Sequence, residues 1–595
     1  MFPKLLNGKC LIIAVLMSMA IGKIWAETEA TKTAATAGEM PAKEKKEVPT
    51  NMIKDVAQVP GAGMFNVCDF GAKGDGVALD TSAIQSAINA CTENRGGTVV
   101  FPAGSYRSGT IFLKDNVTLH FATEATLLGS KDLKDYSEKT KSGIIYNTSV
   151  PLWDKTLIYA EKAKNIGFSG NGTIDGQGLA FPRYQVTPDG NKDLERPMLV
   201  RLVDCNGVTV RDINLRNSGC WCLNMISCKN IKIDGVRIRN QSNATNDGID
   251  LERSRNVFIS NCDIASFDDA IALKDGAIDV VITNCIISSF CAGIRIGPES
   301  VYDFENIAVS NCVIRDTYHC GIKLQVNQGG RMENLTFTNL VMENVTGPIS
   351  VRLARWREKW MPDSYPGKTL KVGVLRNVLF SNIRARVTDK YPSRFDPAKN
   401  PELAELESAY LWALKKYGPA ISCISITGLP DHYVTGLTFS NIHVTFPGGG
   451  TAQDAARRDV PDLIDDYPEY WMFGILPAYG LYAHHVKDLK LDNVRFDLAG
   501  PDERPAFICE DGQGLEISSF NFAASPSVES VIRLRDVRET FLHGGRMETS
   551  VPAFLRVEGK SSDNIFLSAN ELHLAKKVAI TTEGAPRRAV VGGAP

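Results

Sequence analysis

Four aspartates lie in two short segments whose spacing brings them into one candidate group. Asp247 and Asp250 belong to the first segment, and Asp268 and Asp269 begin 21 residues after Asp247. If that spacing is one coil of a repeating structure, the two segments lie on adjacent coils, about 5 Å apart. Carboxylates this close repel one another, so their pKa values separate. One protonated acid beside one ionised base is the pair that hydrolysis of a glycosidic bond requires.

A repeated pattern of short strands and turns surrounds these aspartates. Each copy has an Asn, Asp or Gly, a short β-prone run and often a second Asn. The spacing is 23 residues from Cys262 to Cys285 and 27 from Cys285 to Cys312. The copies are 230–233, 256–262, 279–285, 306–312, 334–339, 377–382 and 436–441.

This period predicts an all-β protein, a single-domain right-handed parallel β-helix in which the coils stack and inward Ile, Val, Leu and Cys form columns. A leucine-rich repeat would need a fixed Leu spacing and a helix in each copy, and a propeller blade would need about 40 residues. Apolar residues at helical spacing in Thr81–Cys91 predict a helix that caps the N-terminal end.

Positive side chains follow the aspartates in the same register. If Ile249, Ile271, Ile294 and Ile322 point inward, the next residues form an outward column of Asp250, Ala272, Arg295 and Lys323. In that position Arg295 and Lys323 bind a sugar carboxylate or, in the simpler alternative, balance the aspartates as a charge ladder. Arg352, with Arg355, is a weaker candidate one coil further on.

Two insertions interrupt the repeat, at about 356–418 and 448–476, and both are rich in aromatic residues. These include Trp356, Trp360, Trp412, Tyr467, Tyr470 and Trp471. Aromatic faces suit sugar rings, and long loops close one end of a groove, which favours exo-action or short substrates. Anchoring of the loops to the β-helix accounts for the same residues equally well.

The N-terminal segment of the chain predicts export. Residues 1–26 contain a basic start and an apolar run too short to span a membrane, which is typical of a cleaved signal peptide and indicates a periplasmic or secreted protein. Residues 27–62 have the composition of a disordered tether, 63–575 form the β-helix and 576–595 a tail. We expect no membrane span in the mature protein.

Composition narrows the possible partners. The chain has 595 residues, with 66 Lys and Arg against 68 Asp and Glu and a formal charge of −2, which argues against a nucleic acid partner. Its 14 cysteines include no two Cys-x-x-Cys pairs at ligand spacing, so neither a metal site nor a cofactor is expected. Cys262, Cys285 and Cys312 are expected to stack in the core, while a disulfide between Cys220 and Cys222, or Cys68 and Cys91, stays open.

Several motifs resemble those of glycoside hydrolase family 28, which contains polygalacturonases and related pectin-degrading enzymes. They are Asp247-Gly248-Ile249-Asp250, Asp268-Asp269-Ala270-Ile271-Ala272-Leu273-Lys274, the run from Val67 to Gly76, and Gly97–Gly104. The resemblance implies that Asp268 is the general acid and that Asp247 and Asp269 position and deprotonate water, with inversion at the anomeric carbon. It also implies a uronate-containing polysaccharide or oligosaccharide as the substrate.

Two motifs of that family are altered in this sequence. The family's Gly-His-Gly aligns with Phe290-Cys291-Ala292, and its Arg-Ile-Lys aligns with Lys323-Leu324-Gln325. Lys323 and Gln325 therefore take the positions of two substrate-binding cations, and the histidine that supports the acid is absent. His319, four residues before Lys323, is a candidate replacement. The changes indicate another substrate or lost activity.

Two other functions remain open at this level. In a calcium-dependent polysaccharide lyase, Asp247, Asp250, Asp268 and Asp269 would bind Ca²⁺, and Arg295 or Lys323 would abstract the proton. A glycan-binding protein without catalysis is the third possibility, because the family histidine is missing.

Overall fold

The computed structural model describes residues 63–140, 155–181, 195–355, 371–389 and 412–592. The proposed signal peptide at 1–26 and tether at 27–62 lie outside these residues. Within them, the fold is all-β, with 38 strands joined in one hydrogen-bonded sheet. No helix among the described residues is both long and apolar enough to cross a membrane.

The first strands are β1 Gly63–Asn66, β2 Asp75–Leu79, β3 Gly97–Phe101, β4 Gly104–Ser108, β5 Ile111–Phe112, β6 Val117–Phe121, β7 Ala125–Gly129, β8 Thr156–Glu161, β9 Lys164–Ser169, β10 Thr173–Asp175, β11 Met198–Val203, β12 Asn206–Arg211 and β13 Asn214–Arg216. The central strands are β14 Leu223–Ile226, β15 Lys229–Asp234, β16 Arg237–Asn240, β17 Ile249–Ser260, β18 Asp263–Ser266, β19 Ile271–Thr283, β20 Ile286–Ser289, β21 Ala292–Ile296, β22 Phe304–Ser310, β23 Val313–Thr317, β24 Cys320–Val326, β25 Arg331–Val345, β26 Ile349–Leu353 and β27 Val374–Val387. The last strands are β28 Ile424–Thr427, β29 Val434–Phe446, β30 Leu481–Lys487, β31 Lys490–Leu498, β32 Phe507–Ser518, β33 Asn521–Phe522, β34 Ile532–His543, β35 Val551–Glu558, β36 Asp563–Ser568, β37 Ala575–Thr582 and β38 Val590–Gly592.

Three α-helices and several single 3₁₀ turns complete the described secondary structure. The α-helices are α1 Thr81–Glu93, α2 Trp412–Tyr417 and α3 Ala452–Ala455. The 3₁₀ turns are Val67–Phe70, Leu133–Asp135, Glu138–Thr140, Gly178–Ala180, Pro419–Ile421 and Arg587–Ala589.

Each coil pairs in parallel with the next, which is the defining feature of a β-helix. One continuous ladder runs through β11, β14, β17, β19, β21, β24, β26, β28 and β30. The predicted parallel β-helix is therefore confirmed, and the regular ladder fixes which side chains stack on adjacent coils.

The repeated asparagines of the sequence mark the turns between strands. Asn256 and Asn334 adopt positive φ angles of 54° and 63°, a region that Asn tolerates better than most residues. Their side chains form ladders along the coils: the Asn256 amide donates to Asn230 at 3.1 Å and the Asn334 amide to Asn306 at 2.6 Å. The repeat thus encodes both the bend and the hydrogen bonds that align one bend with the next.

The inward columns form one continuous apolar core. Cys262, Cys285 and Cys312 are each no more than 2% exposed and belong to it, as predicted. The thirteen described cysteines are all free thiols, so neither candidate disulfide is formed. Burial of small apolar thiols accounts for their use in the core.

The predicted cap is helix α1, which extends two residues beyond Cys91. Its buried face consists of Ala83, Ile84, Ala87, Ile88 and Cys91, which join the main core cluster. An apolar helix face at the first coil protects core side chains that would otherwise meet water.

Two of the predicted boundaries are corrected. β27 lies inside the segment assigned to the first insertion and pairs with β25 and β29, so that insertion is two segments separated by a regular coil strand. β37 and β38 pair with β35 and β36, so the β-helix continues into the segment expected to be a tail. The second insertion has no strand between Phe446 and Leu481, as expected.

Candidate active site

The predicted outward column is present in the structure. In the ladder, Asp250 is the partner of Ala272, Ala272 of Arg295 and Arg295 of Lys323. The Gly248 amide donates to the Asp269 carbonyl at 2.9 Å, which places the two aspartate segments on adjacent coils. The alternation of strand residues therefore brings three candidate residues, Asp250, Arg295 and Lys323, to one face.

Lys274 joins the two aspartates of the first segment. Its Nζ lies 2.8 Å from Asp247 Oδ2 and 2.6 Å from Asp250 Oδ1, and also 3.8 Å from the centroid of the Trp221 ring. Asp247, Asp250 and Lys274 are all buried. One ammonium thus compensates two carboxylates in a site removed from water.

Burial and mutual repulsion raise the pKa values of this pair. Loss of hydration, followed by the charge of Asp250, raises the pKa of Asp247 well above its usual value. Loss of hydration also raises the pKa of Asp250, to about 6, although Lys274 opposes the shift. Near pH 6 the pair therefore holds a proton that two exposed carboxyl groups would have released.

The second aspartate segment has the opposite electrostatics at Asp269. Burial alone would raise the pKa of Asp269, but the charges of Arg295, Lys323 and Lys274 outweigh it and lower the pKa. Arg295 Nη1 lies 3.2 Å from Asp269 Oδ2, and the Ala292 amide donates to Oδ1 at 3.3 Å. Asp269 is therefore an ionised carboxylate fixed by its contacts.

Asp268 is the partly exposed member of the group. Its Oδ1 accepts a hydrogen bond from the Asp269 amide at 2.9 Å, while Asp247 and Asp269 are each 2% exposed. A partly exposed carboxyl beside a buried carboxylate suits contact with a substrate oxygen.

The second insertion covers the cations of the outward column. Glu469 forms ion pairs with Lys323, through Oε2, and with Arg295, whose Nη2 lies 3.6 Å from Oε1. Arg295 also donates to the Tyr467 hydroxyl at 3.1 Å, and the Gln325 amide donates to the Pro468 carbonyl. Arg295, Lys323 and Gln325 are buried, so a sugar carboxylate would compete with the protein's own Glu469 for the two cations.

His319 occupies the coil next to Cys291, the residue aligned with the absent family histidine. Its Nδ1 lies 3.4 Å from Cys291 Sγ and 3.2 Å from Glu469 Oε2. His319 therefore lies one coil beyond Cys291, and its imidazole contacts the position at which the family histidine would stand.

Arg352 lies one coil beyond Gln325, as expected, but it contacts the protein's own second insertion. It is buried beneath the second insertion and donates to the carbonyl oxygens of Asp462, at 2.6 Å, and Leu463, at 2.8 Å. Loss of hydration lowers its pKa to about 10. Arg352 holds the loop, and its contact with a sugar stays a prediction that this geometry does not support.

Some of the described aromatic residues of the insertions anchor the loops, and others are exposed enough to contact a sugar. Trp412 and Trp471 pack with ring centroids 5.3 Å apart, and Tyr470 is buried, which favours anchoring. Trp412 and Tyr467 are 42% and 41% exposed, which leaves part of each ring in reach of a ligand. Trp356 and Trp360 lie outside the described residues.

Sequence reasoning missed Lys274 and Glu469. Lys274 lies two residues after Ala272, so strand alternation places it on the same outward face; that signal was available. Glu469 lies in a segment without repeat periodicity, and nothing in the sequence indicated that its carboxylate reaches Lys323, 146 residues away.

Comparisons with known proteins relate the chain to one family of glycosidases. Residues 91–405 match the profile of glycosyl hydrolases family 28. A probable polygalacturonase from Vitis vinifera is 27% identical over 302 residues, covering 47% of this chain and 61% of that protein, less than two thirds of its length. An exopolygalacturonase from Platanus acerifolia is 27% identical over 404 residues, covering 65% of this chain and 96% of that protein.

A solved structure supports the same fold. The hyperthermoactive exopolygalacturonase from Thermotoga maritima superposes with a TM-score of 0.54 at 19% identity, covering 73% of this chain and 92% of the other. At this identity the superposition shows that the β-helix is shared.

Proposed function

The chain belongs to glycosyl hydrolases family 28, and from this premise we propose that it hydrolyses glycosidic bonds in polygalacturonan or a related uronate-containing oligosaccharide. Support comes from relatives that are polygalacturonases and from aspartates on adjacent coils. The observation on which the proposal depends is the contrast between the partly exposed Asp268 and the buried, ion-paired Asp269.

We assign the chemistry to three carboxyl groups. Asp268 donates a proton to the glycosidic oxygen as the bond from the anomeric carbon breaks. Water attacks that carbon from the opposite face and transfers a proton to Asp269, which Arg295 keeps ionised. Asp247, fixed by Lys274, orients the water. The step ends with Asp268 ionised and Asp269 protonated, and exchange with solvent restores both.

The same site favours hydrolysis over the calcium-dependent lyase reaction. The ammonium of Lys274 contacts both Asp247 and Asp250, so Ca²⁺ on this pair would have to displace a buried cation. A lyase product contains a double bond that absorbs in the near ultraviolet, and a hydrolase product does not. Hydrolysis that needs no added Ca²⁺ and gives no new absorbance is the expected result.

Exo-action is part of the proposal. Tyr467, Pro468 and Glu469 cover the outward column one and two coils beyond Ala272, where a long substrate would otherwise continue along the sheet. We therefore expect the enzyme to release one or two sugars from a chain end. Size analysis of products from long, end-labelled oligogalacturonides at low conversion tests this, and early products of mixed length would contradict it.

Asp268→Asn is the decisive variant for the assigned acid. We expect a loss of kcat of about 10²–10⁴-fold on a panel of pectic oligosaccharides, because proton donation to the leaving oxygen is removed. Asp212→Asn, an exposed carboxylate of another coil, is the matched control and should retain activity. Unchanged turnover in Asp268→Asn would show that the assignment is wrong, and no turnover of any substrate by the wild type would favour glycan binding without catalysis.

A further inference from the structure

A second cluster of ionisable side chains lies further along the ladder, on β30. Adjacent His484 and His485 stack with ring centroids 3.8 Å apart and an angle of 20° between the rings. His485 adopts a positive φ of 55°, which interrupts strand alternation and lets both imidazoles lie on the same side. Both approach the carboxylate of Asp462, which belongs to the second insertion.

The distances resemble those between ligands of one metal ion. Asp462 Oδ1 lies 3.0 Å from His485 Nε2 and 3.7 Å from His484 Nδ1, and the three ligand atoms lie within 4.8 Å of one another. Tetrahedral Zn²⁺, with bonds of about 2.0–2.2 Å, separates its ligands by about 3.4 Å. The observed separations bracket that value.

The outer contacts of His485 also match those of a metal ligand. Its Nδ1 lies 2.6 Å from Asp511 Oδ2, and the Tyr433 hydroxyl donates to Asp511 Oδ1 at 3.2 Å. A carboxylate on one ring nitrogen keeps that nitrogen protonated, so in the neutral imidazole the lone pair of Nε2 faces the Asp462 carboxylate. Two electron-rich atoms facing each other at 3.0 Å are stable with a positive charge between them, either a proton or a metal ion.

We propose that Asp462, His484 and His485 bind one divalent transition-metal ion, with Zn²⁺ as the best match for two imidazoles and a carboxylate. Asp511 acts as the outer partner that orients His485. The site accounts for three protein ligands and leaves the fourth position to water. Asp462 and His484 side chains are 28% and 16% exposed, so an ion can enter without unfolding the coil.

The proposed metal has a structural consequence for the insertion. Arg352 already holds the Asp462 and Leu463 carbonyl oxygens, and the metal would add a bond from the Asp462 side chain to β30. Seven residues later the same loop places Glu469 on Lys323. Metal binding therefore fastens the base of the loop that covers the outward column.

A rival group of ligands lies at Cys291, His319 and Glu469. There the ammonium of Lys323 forms an ion pair with Glu469 and lies 3.8 Å from Cys291 Sγ. That ammonium occupies a ligand oxygen, Glu469 Oε2, which a metal ion would have to take from it, whereas Arg352 at the proposed site binds backbone oxygens; the group at Cys291 is therefore the weaker candidate.

Metal stoichiometry and thermal stability test the proposal on the full chain. After chelator treatment and dialysis, the wild type should take up one equivalent of Zn²⁺ and its Tm should rise. His484→Ala and Asp462→Asn should each abolish stoichiometric binding and the Tm rise, while Asp511→Asn should weaken binding by about 10–100-fold. Asp462→Asn keeps the shape of a partly exposed side chain, so it gives a result if His484→Ala folds poorly.

Two controls separate the proposed site from zinc binding elsewhere on the chain. His443→Ala removes an imidazole of β29 whose Nε2 lies 2.7 Å from Asp497 Oδ2. This variant should bind zinc as the wild type does. Cys291→Ser should also retain it, and Co²⁺ in place of Zn²⁺ should show no thiolate charge-transfer band. The proposal is overturned if the wild type binds no stoichiometric zinc, if His484→Ala and Asp462→Asn both retain it, or if Cys291→Ser abolishes it.

Discussion

Lys274 and Asp250 form a buried ion pair on adjacent coils, with Nζ 2.6 Å from Oδ1. The same ammonium also contacts Asp247, so removal of Lys274 would leave two carboxylates buried without their shared cation. This relationship makes the stability of the candidate site measurable apart from its catalysis.

Lys274→Met should destabilise the fold. Methionine fills a similar volume but leaves Asp247 and Asp250 uncompensated, and breaking a buried ion pair costs about 3–5 kcal/mol of unfolding free energy. Urea denaturation at pH 7 measures the loss. Lys232→Met, on an exposed position of β15, is the control and should change the free energy by less than about 0.5 kcal/mol. Equal effects of the two variants would contradict the proposed role of Lys274.

Asp250→Asn should change how stability depends on pH. The folded-state pKa of Asp250, about 6, lies above its ordinary value of 3.8, so the fold favours the protonated form. The stability contributed by the Asp250 carboxyl is complete below pH 3.8 and is lost as pH rises through about 6, and the difference between the two pKa values corresponds to about 3 kcal/mol. Relative to the wild type, the unfolding free energy of Asp250→Asn should therefore increase between pH 4 and 6.

Denaturant titrations at several pH values measure this difference. Asp212→Asn, the exposed control, should follow the wild type at every pH. Parallel curves for the wild type and Asp250→Asn would show that the Asp250 carboxyl has no raised pKa in the fold.

The effects of substituting Lys323 and Glu469 on the free energy of unfolding should not be additive. Lys323→Met leaves the carboxylate of Glu469 with weaker compensation, and Glu469→Gln does the same to the ammonium, so each should cost about 3–5 kcal/mol. The double variant removes both charges and should cost less than the sum by about 1–3 kcal/mol. Thermal or urea unfolding of the four proteins measures the coupling, and simple additivity would show that the loop contact contributes nothing.

The sequence allowed prediction of the repeating part of the site. The alternation of Ile249, Ile271, Ile294 and Ile322 with outward residues is a property of strands, and it correctly aligned Asp250, Ala272, Arg295 and Lys323. Asn at many of the bends and Cys in the core column of Cys262, Cys285 and Cys312 follow from backbone conformation and residue volume, which act within one coil.

The contacts that the second insertion makes with the coils could not be predicted in this way. The partners of Glu469, Arg352 and Asp462 lie elsewhere in the sequence. The repeat has no counterpart in the loop, so it does not predict where the loop crosses the sheet. The stacked histidines were missed for a related reason, because the positive φ of His485 breaks the alternation from which the outward column was predicted. The spacing of the cysteines argued against a metal site, but it gives no information about a site made of two imidazoles and a carboxylate.

His319 and Cys291 offer a test of how the altered motif works. If His319 supports the acid from the next coil, His319→Ala should lower kcat by about 10–100-fold, with little change in KM, and should shift the pH–rate profile. Cys291→His in that background places an imidazole at the family position and should restore part of kcat. Cys312→Ser, a buried thiol of the core column, is the control and should leave the pH profile unchanged. Steady-state kinetics on the best pectic substrate decide the result, and a folded His319→Ala variant with wild-type kcat would exclude a positioning role for His319.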